Sequence, residues 1–169
     1  MNTDELKSLC LSMVERQPGL VFNVMKEIDN NGDSQRTTRD DVPSWCVCQY
    51  CQEMPTEAER QCCGYTPNGC VTKWPEMQLY CLDNGVLSLC RGYRRSVFGL
   101  TIAGEDRDEI DDPNKSWRHA AYRQFILWRH GKIGRDDRRV IPSCCVWEIR
   151  KKFPNPHGQY VGFLASRLR

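Results

Sequence analysis

Histidine is scarce in this 169-residue chain: three residues, His119, His130 and His157, none at the spacing of a zinc finger. No apolar run approaches the ~20 residues that a membrane-crossing helix needs. The opening Met1-Asn2-Thr3-Asp4-Glu5 has neither the basic start nor the apolar stretch of a secretory leader. A cytoplasmic home is expected, with the nucleus as an alternative, and thiols there stay reduced. A phosphate-cradling G-x-x-x-x-G-K-[ST] loop is also missing, since Gly131-Lys132-Ile133-Gly134 reads as a helix exit. Asn114-Lys115-Ser116-Trp117 lacks the aspartate of a guanine-specificity motif. No Ser–His–Asp or Cys–His signature stands out, so an enzyme is not expected. Neither internal repeats nor low-complexity tracts interrupt the chain.

Cysteine, by contrast, is abundant, with 11 residues. Eight form a pattern: Cys46, Cys48, Cys51, Cys62, Cys63 and Cys70, then the distant pair Cys144 and Cys145. An odd total, adjacent pairs and a reducing compartment favour metal over disulfides. Cys46-x-Cys48-x-x-Cys51 puts three thiolates in one tight turn, and sulfur in such number selects zinc over an iron–sulfur cluster. The sulfurs are too many and too close for a single finger or ribbon. Two tetrahedral ions offer eight positions, which seven cysteines fill if one thiolate bridges. A saturated sulfur shell leaves no place for substrate water, so the expected role is structural. Arg60, Lys73 and Arg150 lie close in sequence and are expected to offset the excess negative charge. Cys10, Cys81 and Cys90 sit in apolar helical registers and read as buried thiols.

The periodicity predicts a helical hairpin over 4–28, interrupted at Gln17-Pro18-Gly19, with Leu6, Leu9, Cys10, Met13 and Val14 on one packed face. A polar linker follows. Asp29, Asn31 and Asp33 fit the start of a calcium loop, but Ser34 replaces its turn glycine and Asp40 its closing glutamate. Residues 1–42 are thus expected as a hairpin and linker, and 43–169 as a cysteine-clamped domain. Helices are expected after Trp74-Pro75, from Asp83, and over Trp117–His130, capped by Asn114 or Ser116 and stopped at Gly131. The stripe Trp117, Ala121, Phe125 and Trp128 reads as core, while Arg118, Tyr122 and Arg129 project elsewhere. Short strands are expected at Val140-Ile141, Val146–Phe153 and Tyr160–Phe163. The expected fold class is α+β: a helical framework, a few strands and an irregular cysteine region.

Charge is unevenly distributed. Residues 118–169 carry 12 Lys/Arg against 3 Asp/Glu, whereas residues 1–117 carry 12 against 19. A basic C-terminal third attracts phosphate, on a nucleotide, a nucleic acid or an anionic lipid surface.

Several motifs occur in a familiar order. They are Pro43-Ser44-Trp45-Cys46-Val47-Cys48-x-x-Cys51, Cys62-Cys63, Cys70, Arg118-His119-Ala120-Ala121-Tyr122-Arg123 and Trp128-Arg129-His130-Gly131. Ile141-Pro142-Ser143-Cys144-Cys145-Val146-Trp147 and Gly158-Gln159-Tyr160-x-Gly162-Phe163 complete the set. Over residues 43–163 the chain resembles the cytoplasmic C-terminal "ballast" domain family of P2X purinoceptor 7, as a free-standing soluble member. The resemblance implies two zinc ions held by Cys46, Cys48, Cys51, Cys62, Cys63, Cys70 and Cys144. It also implies GDP or GTP as a bound ligand, with Arg118, His119, Tyr122, Arg139, Asn155 and Gly162 at the matching positions. Asn155 stands where the receptor has lysine, and Arg139 replaces a small residue. Channel activity does not transfer, because the membrane and extracellular portions have no counterpart here. The function so implied is a zinc-stabilised guanine-nucleotide module, regulatory or scaffolding, with a protein partner possible through the N-terminal helices. A nucleic-acid or anionic-lipid binder and a weak nucleotide phosphohydrolase are the alternatives.

Overall fold

Asn2 starts the first helix with a capping box: its side chain accepts from the Glu5 N–H, while the Glu5 carboxylate accepts from the Asn2 N–H, both at 2.8 Å. The computed structural model describes residues 2–30, 42–98, 111–134 and 137–163. Helix α1 runs Thr3–Arg16, and a 3₁₀ turn at Pro18–Leu20 redirects the chain into α2, Val21–Asn30. Short 3₁₀ turns at Glu57–Glu59 and Val71–Lys73 punctuate the cysteine region. A single turn α3, Pro75–Met77, widens into a π turn at Gln78–Leu82 and leads to α4, Asn84–Phe98. Helices α5, Lys115–His130, and α6, Ser143–Lys152, are the last two among the described residues. The calcium-loop positions Asn31, Asp33, Ser34 and Asp40 lie outside the described residues.

The expected α+β class is wrong. Among the described residues the fold is helical, with no strand. Val146–Phe153 belongs almost entirely to α6, where Val146, Ile149, Arg150 and Phe153 recur at helical spacing and are all buried. Val140-Ile141 has no regular secondary structure. Tyr160–Phe163 is likewise irregular.

An aromatic cluster forms the core. Phe22 of α2 packs on Trp74 (ring centroids 5.0 Å apart), Trp128 (4.6 Å) and Phe125 (6.4 Å), and the Arg129 guanidinium lies 4.0 Å above its ring. Ala121, Phe125 and Trp128 are buried as the stripe required, and Trp117 stacks on Phe153 at 5.7 Å. Gly131, at φ 67°, ends α5. Asn114 stands at its N-terminus without capping it, its amide donating instead to the Pro154 carbonyl at 2.8 Å.

Helix α1 departs from the hairpin reading: it buries no residue, and Leu6, Leu9, Cys10 and Met13 are exposed. Cys10 is therefore not a buried thiol, whereas Cys81 is; Cys90 is half-buried and accepts from Gln124 at 2.9 Å.

Gly19 lets the N-terminal turn press against α5. A Cβ there would sit 2.7 Å from the Arg129 carbonyl oxygen and 3.1 Å from that of Trp128, both backbone atoms that cannot swing away. Gly19→Ala is accordingly expected to destabilise by about 1–3 kcal/mol, read as a lower urea midpoint at unchanged slope.

Candidate metal centre and anion cleft

The cysteine turn is built by backbone that side chains rarely tolerate. Gln49 adopts φ 64° immediately after Cys48, folding Cys46, Cys48 and Cys51 onto one side. Gly64, at φ 82°, turns the chain after Cys62 and Cys63. From far along the sequence, α6 is docked by buried Ser143. Its N–H donates to the Gln61 carbonyl (2.8 Å) and its hydroxyl to the Gln52 carbonyl (2.7 Å), which sets Cys144 against the cluster.

The sulfurs fall into two groups, Cys46, Cys48, Cys51 and Cys62, and Cys48, Cys63, Cys70 and Cys144, each within 4.8 Å. Cys48 belongs to both. The cluster could therefore hold metal. Neighbouring sulfurs stand 3.8 Å apart at Cys46–Cys48, Cys48–Cys51 and Cys63–Cys70. A disulfide would bring them to about 2.05 Å, whereas a tetrahedral ion bonded at about 2.3 Å spaces its sulfurs about 3.8 Å apart. The donor set thus fits a thiophilic tetrahedral ion and not a bridge between thiols. Cys145 is fully buried beside Cys144 but lies outside both groups.

Charge on the sulfurs meets backbone N–H groups, not the expected cations. Cys62 accepts from the N–H groups of Val47, Cys48 and Gly64, each at 3.4 Å, and Cys46 from that of Gln49 at 3.2 Å. Arg60 pairs with Glu53, Lys73 lies over the Tyr50 ring, and the Arg150 guanidinium lies over the Trp147 and Tyr160 rings. The thiols share protons unequally. Hydrogen bonding from Cys48 brings Cys62 down to about 5, and bonding from Cys144 brings Cys63 down to about 4. Burial pushes Cys46 up to about 11, and the hydrogen bond to Cys145 is the largest influence raising Cys144.

A second feature is a cleft of about 890 Å³ between the outer face of α5, α6 and the segment 161–163. His119, Tyr122, Arg139 and Gly162 line it, four of the six positions the resemblance implied. Lys115, Arg123, Lys132, Arg138 and Arg150 line it too, against only two carboxylates, Glu59 and Asp137. Burial raises the Tyr122 hydroxyl above its ordinary value, opposed by the nearby Arg150 and Arg118 charges.

The remaining two positions, Arg118 and Asn155, are not among the lining residues. Arg118 is buried, not projecting; it pairs with Asp112 and donates to the Phe153 carbonyl at 3.0 Å. Asn155 donates to the same Asp112 at 2.6 Å, while its side-chain oxygen accepts from the N–H groups of His157 and Gln159. Tyr160 joins this node to the cleft, its ring lying 5.3 Å from the Arg118 guanidinium and 4.4 Å from that of Arg150.

Arg150 and Glu59 are the cleft residues that sequence reasoning missed. Arg150 is only 6% exposed, its Nε has no hydrogen-bond partner, and it makes no ion pair among the described residues. A cation on the apolar stripe Val146–Ile149–Phe153 was a legible signal once that segment is a helix. Glu59 carried no such signal, lying in a short turn.

A helical fold closed around a cysteine cluster that could hold metal, with a basic cleft beside it, defines the class: a small helical domain with a candidate metal centre. The chain belongs to the P2X purinoreceptor 7 intracellular domain family, whose model matches residues 1–164. It is 36% identical to P2X purinoceptor 7 of Mus musculus and 34% identical to that of Rattus norvegicus, each over 128 residues, or 73% of the chain. The chain spans about a fifth of the length of these curated relatives, 20% of each. Membership makes it an intracellular, non-enzymatic type of domain, which places it in the cytoplasm. No helix among the described residues is long and apolar enough to cross a membrane.

Proposed function

We propose that this chain is a zinc-stabilised guanine-nucleotide-binding module with a regulatory or scaffolding role. Two zinc ions would be held by the two tetrads that share Cys48, and bound zinc would supply cross-linking of the fold, not catalysis. The single observation that carries the nucleotide reading is Arg150, a buried guanidinium that lines a basic cleft and has no carboxylate paired with it among the described residues. Burying a charge without a counter-charge is unfavourable, and an anion removes the penalty. Phosphate suits it because guanidinium donates to two oxygens at once. Tyr122 supplies an aromatic edge and His119 a further donor at the same cleft. The concave arrangement of the cations favours a small anion over a nucleic acid or a lipid surface, which would meet an open stripe. The scaffolding half of the reading draws on α1, whose Leu6, Leu9 and Met13 are exposed and open to a protein partner.

Calorimetry of the zinc-loaded chain with GDP tests this. The expected result is saturable binding that Arg150→Met weakens by about tenfold or more, the loss of one charge-assisted contact. Absence of heat at high GDP concentration would overturn it, as would unaltered affinity in the variant.

A further inference from the structure

We propose that α1 pairs antiparallel with α1 of a second copy of this chain, making the protein a two-fold homodimer through its N-terminal helix. The inference names the partner that the scaffolding half of the reading above leaves open, and it does not depend on the nucleotide. Leu6, Leu9, Cys10 and Met13 recur at i, i+3, i+4 and i+7, which sets them in one stripe along the helix. All four are exposed, and α1 buries none of its residues. The described element that α1 chiefly touches is the 3₁₀ turn Pro18–Leu20, and the stripe takes no part in the aromatic core. Such a helix is not self-sufficient. At 14 residues it has the length at which an isolated helix is marginal in water, and its capping box supports the first turn alone. A covering partner supplies what the helix lacks.

The charges decide which partner. Glu5 and Arg16 border the stripe on the same flank, about three turns apart. When two copies of such a helix pack antiparallel, their matching flanks meet in reversed order. Glu5 of each copy then faces Arg16 of the other, two ion pairs related by the two-fold axis. A parallel pair would instead set Glu5 against Glu5 and Arg16 against Arg16. The helix dipoles also favour the antiparallel arrangement. Cys10 falls near the midpoint between the two charges, so the axis passes beside it. A lipid surface fits less well, because α1 carries three carboxylates, Asp4, Glu5 and Glu15, against Lys7 and Arg16. Two helices of this length cover less than the roughly 1,200 Å² of a stable interface, so the dimer depends on concentration.

Sedimentation of the zinc-loaded full chain over a concentration series up to about 1 mM tests the pairing. A reversible monomer–dimer equilibrium is expected. Leu9→Glu puts a charge in the stripe and is expected to raise the dissociation constant about tenfold or more. Arg16→Glu turns both ion pairs into repulsions and is expected to raise it about threefold, less in high salt. A short bismaleimide is expected to join two copies through the exposed Cys10, and Cys10→Ser removes the cross-link while leaving the dimer. A native chain that stays monomeric would overturn the inference, while leaving the nucleotide reading to its own calorimetric test. So would a dimer indifferent to Leu9→Glu, which would lie on another face. A dimer that Leu9→Glu disrupts and Arg16→Glu leaves unchanged would overturn the antiparallel pairing. Sedimentation and cross-linking of the native chain decide the matter even if a variant fails to fold.

Discussion

Cys48→Ala is expected to empty both tetrads, whereas Cys46→Ala empties one. Cys48 alone belongs to both sulfur groups, so its loss leaves each with three ligands, while Cys46 serves only the first. A structural zinc in a small domain contributes on the order of 10 kcal/mol, which rivals the ~5–15 kcal/mol that holds a whole domain folded. The Cys48 variant should therefore lose cooperative thermal unfolding. The Cys46 variant should keep a weakened transition and about half the metal. Metal content by mass spectrometry, with unfolding followed by circular dichroism, reads both. Equal metal loss in the two variants would remove the special role of Cys48, and a metal-free native chain would remove the two-zinc reading.

Asp112→Ala comes next in size, with an expected loss of about 3–5 kcal/mol in urea unfolding at neutral pH. The carboxylate is buried and takes hydrogen bonds from Arg118 and Asn155, so deleting it strands a buried guanidinium and frees the 155–159 turn. Burial alone would raise its pKa, but the bonds from Arg118 and Asn155 and the Arg118 charge outweigh that and hold it below the ordinary 3.8. A depressed pKa means the stabilisation is fully present above the ordinary value and disappears as pH falls through the folded one. The native chain should lose stability on acidification below about pH 4, and Asp112→Asn should lack that part of the decline. Parallel acid slopes in the two proteins would show that the pair is not coupled to folding.

The sequence was most legible where local chemistry dominates. Thiols crowded at 46–70 point to a cluster whatever surrounds them, and Pro18 and Gly131 mark helix boundaries by their own backbone limits. It was least legible where burial has two sides. Helix α5 packs Ala121, Phe125 and Trp128 into the aromatic core, yet also buries Arg118 against Asp112 on another face. Such a helix presents no simple division into apolar and polar sides. Helix α6 misled for a related reason: valine, tryptophan, isoleucine and phenylalanine favour strands in isolation, but here they lie on or beside a helix whose first residue, Ser143, is docked on Gln52 and Gln61. The opposite error occurred at α1, where a helical apolar stripe exists but buries nothing among the described residues. Periodicity shows that a face is apolar; it does not say what covers it.

The unequal reach of the two sulfur groups imposes an order on biogenesis. Cys46, Cys48, Cys51 and Cys62 emerge from a ribosome almost together, so the first group can close as a local loop while the rest of the chain is still being made. The second group waits for Cys144, and its closure must gather everything from Cys70 onward. On the two-zinc reading proposed above, Cys63 and Cys70 would wait for Cys144 before their tetrad could close. On that reading the nascent chain would pass through an interval with one tetrad closed and the other waiting for α6.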